Sequence, residues 1–159
     1  MPTHPTAYPP GTTTRTKRSP VQLAALVVGV VFLVVGVLGF VPGITSDYDS
    51  LGAAGHESHA MLLGIFQVSV LHNIVHLLFG VAGVLLARRP DTARSYLIFG
   101  GVIYLVLWLY GLFIGEDSGA NFVPVNNADN WLHLVLGVGL LGLGFVSTRS
   151  EPAPTPVVT

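Results

Sequence analysis

Four stretches of the chain, residues 21–41, 61–87, 96–115 and 130–148, contain no Lys, Arg, Asp or Glu and are dominated by Leu, Val, Ile, Phe, Ala and Gly. A helix crossing the hydrocarbon layer needs roughly 20 mostly apolar residues, because the layer is about 30 Å thick and a helix rises about 1.5 Å per residue. The pattern therefore predicts four transmembrane helices over these stretches. The second is long for one span, so residues 61–67 are expected to project, tilt or lie in the interface. Polar residues inside the stretches are neutral, chiefly Gln67, Ser69, His72, Asn73, His76, His133 and Ser147.

The charges between the stretches predict their orientation. Arg15, Lys17 and Arg18 precede the first, Arg88, Arg89 and Arg94 separate the second from the third, and Arg149 follows the fourth. The other two connections carry Asp47, Asp49, Glu57, Glu116, Asp117 and Asp129 and no basic residue. Basic residues are retained in the cytoplasm, so both termini and the 88–95 connection are expected inside. The first stretch exceeds the roughly 7–15 residue core of a signal peptide, and Gly39-Phe40-Val41-Pro42-Gly43 at its exit is no small-residue cleavage site. The tails, 1–20 and 149–159, are Pro- and Thr-rich and expected to be disordered. The expected fold is thus an all-α, multi-pass four-helix bundle of the cell (plasma) membrane, N-in/C-in.

A duplication carries the polar residues. Asn73-Ile74-Val75-His76-Leu77-Leu78-Phe79-Gly80-Val81 matches Asn130-Trp131-Leu132-His133-Leu134-Val135-Leu136-Gly137-Val138, with N-x-x-H-L-x-x-G-V in common. Both copies enter an even-numbered helix from the outer side, which predicts two helical hairpins related as a parallel repeat. At helical spacing, Asn73, His76, Gly80, Gly83 and Ala87 share one face, as do Asn130, His133, Gly137 and Gly144. Ala25, Gly29 and Gly36 form a similar stripe on the first helix, and Gly111 and Gly115 a G-x-x-x-G on the third. Small residues let membrane helices approach closely, so these faces are expected to look into the bundle. A cluster of Asn73, His76, Asn130 and His133 is expected in its outer half.

This motif, in a four-helix chain with basic inner connections, resembles the small bacterial membrane proteins grouped as domain of unknown function 4383. The resemblance covers about residues 20–148. It implies a four-helix fold and a bacterial membrane location, and it implies no activity.

Composition narrows the chemistry. The chain is 51% hydrophobic and 9% charged, against about 25% charged in soluble domains. The net charge of -1 gives no electrostatic case for nucleic acid. There is no cysteine, which removes disulfides, thiolate metal sites and thiol catalysis. No nucleophile–base pair or phosphate-binding loop is present, so no catalytic residue is assigned. The partners expected are the lipid bilayer and a second copy of the chain or a membrane complex.

His76 and His133 are the residues that invite a function. The plain reading is structural: each imidazole hydrogen-bonds its own Asn three residues earlier, or a group across the two-fold, and fixes helix register. Such bonds between membrane helices average about 0.6 kcal/mol. Alternatively, paired imidazoles can ligate haem b or a metal, with His72 as a further ligand, or line a small-ligand or sensing pocket open to the outside. Transport is disfavoured, because the inner halves of the helices carry no polar steps. In the second connection, His56-Glu57-Ser58-His59 has the composition but not the spacing of an H-E-x-x-H metal motif.

Overall fold

The computed structural model describes residues 17–115 and 118–146. Four helices account for most of them: α1 (Pro20–Leu38), α2 (Val70–Leu86), α3 (Pro90–Phe113) and α4 (Asn127–Val146). Between α1 and α2 lie three two-residue strands, β1 (Thr45–Ser46), β2 (Met61–Leu62) and β3 (Phe66–Gln67), which pair antiparallel in that order. Helices α1, α3 and α4 are long and apolar enough to cross a membrane, while α2 is a shorter apolar helix. Their exposed faces carry Val27, Val31, Leu78, Phe99, Val106, Val135 and Val138. A soluble surface is rarely so continuously apolar, and lipid is the cover that such faces suit.

The second helix is where the expectation needs correcting. The apolar run over 61–87 is not one helix: α2 starts at Val70, and residues 61–67 form the β2–β3 hairpin. The chain reverses at Leu63 and Gly64, whose φ values of 56° and 69° lie in the left-handed region. That region favours glycine over a side-chain-bearing residue. Ser69 then starts α2 as its N-cap, its hydroxyl accepting from the His72 amide at 3.2 Å. The third helix begins earlier than the 96–115 expected, with Pro90 in its first turn where a missing N–H costs nothing. The fourth begins at Asn127 instead of 130. The expectations for the far tails fall on residues outside those described.

Helix α1 packs along α2, and α3 along α4, far more extensively than the two pairs meet each other. Helix α1 touches α3 to a lesser degree and barely touches α4. Glycines make the close pairs possible. A Cβ on Gly29 would meet the Val84 nitrogen at 2.8 Å and the Gly80 oxygen at 3.0 Å. A Cβ on Gly101 would meet the Gly137 oxygen and the Leu141 nitrogen at 2.9 Å. Gly36, Gly80, Gly83, Gly137 and Gly144 likewise face neighbouring helices, whereas Gly115 lies beyond the end of α3 with nothing near it. The G-x-x-x-G expected on the third helix is therefore reduced to Gly111. The core between the pairs centres on Ala25, Phe32, Tyr96, Leu97, Tyr104 and Leu140. Tyr96 is buried against Gly83.

At the end of the bundle holding the chain's first described residues, Gln22 ties two helices together. Its Oε1 accepts from the Ser19 amide at 3.0 Å, while its Nε2 donates to the carbonyls of Ala87 at 3.1 Å and Arg88 at 2.8 Å. Arg94 Nε donates to the Gly144 carbonyl at 3.3 Å in the other pair. These donors satisfy carbonyls that a helix end leaves unpaired. Gln22→Ala is expected to cost about 1 kcal/mol, read as a lowered unfolding midpoint in detergent, with Leu23→Ala on the exposed face as the control.

Candidate functional site

The opposite end of the bundle holds the buried polar residues, beneath the three-stranded cap. Ala60, Leu62 and Val68 of the cap form a small core with Val35 and Leu38 of α1. The cap is fastened to the α3–α4 connection by backbone and side-chain hydrogen bonds. Gly55 N donates to the Phe122 carbonyl at 2.8 Å, and Asn126 Nδ2 to the Ile65 carbonyl at 2.8 Å. Asp129 makes the most consequential link. Its Oδ2 accepts from the Gln67 amide of β3 at 2.9 Å and from the Asn126 amide at 3.2 Å, while Asn126 Oδ1 accepts from the Asp129 amide at 2.9 Å. The Asn126–Asp129 exchange is a reciprocal helix cap with Asp in the place usually held by Glu. One carboxylate thus starts α4 and holds the cap onto it.

Within this end, His72, Asn73, His76, Asp129, Asn130 and His133 are all buried. The asparagines and the histidines do different things. Asn73 packs against Gly39 near the end of α1, and Asn130 against Gly111 on α3, in each case at a position where a Cβ would collide with the amide. Asn73 Nδ2 and Asn130 Oδ1 have no hydrogen-bond partner. The histidines turn toward a shared space. His72, His76, His133 and Asp129 line one cavity of about 100 Å³, roofed by Leu62, Leu63 and Phe66 of the hairpin. On α2 the two imidazoles are one turn apart with ring centroids 4.3 Å from each other. On α4, Asp129 and His133 have the same one-turn spacing.

The hydrogen bonds at the imidazoles differ from those expected. His76 Nδ1 donates to the carbonyl of His72 at 3.0 Å, one turn back, in place of a bond to the Asn three residues earlier. With Nδ1 as the donor, Nε2 carries the lone pair in the neutral ring. His133 Nδ1 has no partner, although the residue is only 4% exposed. Between the two helices run aromatic contacts: Phe32 lies 5.3 Å from the His76 ring, Tyr104 lies 5.4 Å from the His133 ring, and Phe32 and Tyr104 stack at 5.6 Å.

These rings decide the haem question. A macrocycle ligated by His76 and His133 would need the space that the Phe32–Tyr104 stack fills, and the cavity the imidazoles share is about 100 Å³. The residues present do not fit haem b. Among the described residues, no three His, Asp or Glu side chains are gathered closely enough to hold a metal ion. His56 is half-buried and His59 exposed in the segment before β2.

A family match spans the helices and the cap that build this site. The model of the family described as Domain of unknown function (DUF4383) matches residues 22–146. The chain belongs to this family. In this DUF4383 chain the match takes in all four helices and the cap, and ends with the last described residue of α4. No curated protein and no solved structure matches the chain.

The sequence singles out His76 and His133 but not Asp129 as a cavity residue. The signal was available one position earlier in the duplication: His72 precedes Asn73 as Asp129 precedes Asn130. Phe32 and Tyr104 carried no comparable mark, since aromatic residues are ordinary in apolar helices. A larger cleft of about 300 Å³ lies between α2 and α3, but no imidazole or carboxylate lines it.

Proposed function

We propose that this protein is a multi-pass bundle of the bacterial cell membrane, with both termini cytoplasmic and the cap outside, that binds a small ligand at the histidine cavity near its outer face. The Asn73, His76, Asn130 and His133 cluster is divided in this reading. The asparagines are packing elements, and His76, His133 and His72 hold the ligand. No chemical step is assigned to them. The observation that carries the reading is the His133 Nδ1 atom, buried beside a cavity without a hydrogen-bond partner. The unpaired Asn73 and Asn130 amides are packed tightly against glycines, whereas His133 lines open space, where a ligand can remove the cost of about 1–3 kcal/mol that an unpaired buried polar group carries.

Corresponding contacts in the two helix pairs support a parallel repeat. Gly29 meets Gly80 and Val84 as Gly101 meets Gly137 and Leu141. Leu33 lies over Gly80 as Leu105 lies over Gly137, and Gly39 faces Asn73 as Gly111 faces Asn130. Gln22 donates to Ala87 as Arg94 donates to Gly144. The aromatic contacts follow the same rule, with Phe32 on His76 and Tyr104 on His133. These contacts support a pseudo-two-fold through the Phe32–Tyr104 stack, with both imidazoles at one depth in this reading. The confinement of basic residues to the other end of the helices supports the orientation.

Two measurements test this reading. The chain has no cysteine, so single cysteines report topology cleanly. Ser46→Cys is expected to react with an impermeant maleimide in intact cells, and Asp91→Cys only after permeabilisation; the reverse pattern overturns the orientation. Native mass spectrometry of protein released from its own membrane in mild detergent is expected to show a co-purifying small molecule. The His76→Leu/His133→Leu variant, still folded, loses it. Equal spectra without added mass in both proteins overturn the binding reading.

A further inference from the structure

A second cavity adjoins the histidine cavity and changes what can enter it. It measures about 200 Å³, lies between α1 and α4, and is lined by Val28, Val31, Phe32, Val35, Leu132, Leu136 and His76. Val35, His76, Leu132 and Leu136 belong to both spaces. The groove exists because α1 and α4 barely touch. Its rim faces outward, with Val31 53% and Leu132 37% exposed. In a bilayer that rim meets acyl chains, so the route to the imidazoles runs sideways through lipid, under a roof formed by the hairpin.

We infer that these two adjoining cavities hold a long-chain alcohol, its hydroxyl among His72, His76 and His133 and its single tail in the α1–α4 groove. This rests on the ligand-binding reading above and names its ligand class. The shape sets a small polar head on an apolar tail. A groove bounded by two helices with His76 in its wall admits one chain, and the remainder of the chain continues into the bilayer. The head must suit two different imidazole atoms. His76 Nε2 is an acceptor, because Nδ1 donates to the His72 carbonyl. His133 Nδ1 lacks a partner and serves as donor or acceptor according to its tautomer. A hydroxyl donates once and also accepts, so it pairs with both when it donates to His76 Nε2 and accepts from His133 Nδ1–H. An ammonium head has no acceptor for an imidazole N–H. A carboxylate head would share the space with Asp129, whose carboxyl lines the same cavity. An alkane would leave His133 Nδ1 buried and unpaired, which is the cost that a hydroxyl removes.

The test uses the full chain in nanodiscs and three probes with the same diazirine-bearing sixteen-carbon chain: hexadecanol, hexadecanoic acid and hexadecane. The alcohol is expected to crosslink to the segments around Val35 and Leu132–Leu136, and unlabelled hexadecanol to compete. Labelling falls about tenfold in His76→Leu/His133→Leu, as expected for the loss of two hydrogen bonds. Val31→Trp fills the groove from an exposed position that the fold tolerates, and also abolishes competed labelling. It therefore decides the matter if the histidine variant fails to fold. Equal labelling by hexadecane overturns the inference and reduces the groove to a lipid contact, and stronger labelling by the acid overturns the head assignment. A co-purifying polar molecule or metal that hexadecanol does not displace overturns the alcohol and leaves the binding reading standing. No co-purifying molecule together with no competed labelling overturns both.

Discussion

Gly29→Val is expected to prevent α1 from packing along α2, and Gly101→Val to do the same for α3 and α4. At position 29 a Cβ would lie 2.8 Å from the Val84 nitrogen, 2.9 Å from the Gly83 carbonyl carbon and 3.0 Å from the Gly80 oxygen. All three are backbone atoms, which no rotamer change can move aside. At position 101 the Gly137 oxygen and the Leu141 nitrogen stand in the same relation at 2.9 Å. The helices must therefore separate along their length. In lipid the hydrophobic effect does not hold helices together, so this close packing is the main attraction between them, and separation forfeits it. Overpacking a core costs about 1–3 kcal/mol when neighbours can adjust, and here they cannot, so loss of the folded bundle is the expected outcome. Gly139→Val and Gly142→Val are the controls, since nothing lies within 4 Å of their added Cβ atoms; they should change stability by about 0.5 kcal/mol or less. Unfolding in mixed detergent micelles reads the difference. If Gly29→Val and Gly139→Val unfold at the same detergent fraction, the seam is not where the stability resides.

Much of this architecture was legible because two sequence signals speak about different physics. Absence of charge over membrane-length stretches marks where backbone must satisfy itself, and helices follow. Small residues at helical spacing mark where backbones touch. Together they place Gly29, Gly80, Gly83 and Gly137 on packing faces from the sequence alone. What failed was the segment from Met61 to Gln67. Its composition is as apolar as a helix, and hydropathy does not separate a buried hairpin from a buried turn of helix over so few residues. The deciding facts are local: the left-handed turn at Leu63 and Gly64 and the Ser69 cap. The polar site was half legible for a related reason. A repeated Asn-x-x-His says that imidazoles lie at equivalent positions on two helices. It does not say that the asparagines turn to glycines of their own pair while the histidines turn to a common cavity. That division depends on how far apart α1 and α4 stand, which no single helix face encodes.

The cap depends on one carboxylate, and Asp129→Ala is expected to release it while the helices remain packed. Asp129 is 3% exposed, and its Oδ2 accepts from both the Gln67 amide and the Asn126 amide. Removing it leaves two amides without their acceptor and takes away half of the reciprocal cap at the start of α4. A hydrogen bond to a charged group is worth about 1.5–3 kcal/mol and a helix cap about 1 kcal/mol. The loss should fall mostly on the hairpin, because the α1–α2 and α3–α4 seams do not involve Asp129. The measurement is hydrogen exchange at the Gln67 amide, which should accelerate about a hundredfold, while amides in the middle of α1 and α3 keep their protection. Asp129→Asn retains one acceptor oxygen without the charge and should fall between the two. If Asp129→Ala leaves Gln67 exchange unchanged, the hairpin is held by its own small core of Ala60, Leu62 and Val68 instead. If exchange accelerates equally throughout α4, the carboxylate acts as a helix cap and not as the latch between hairpin and bundle.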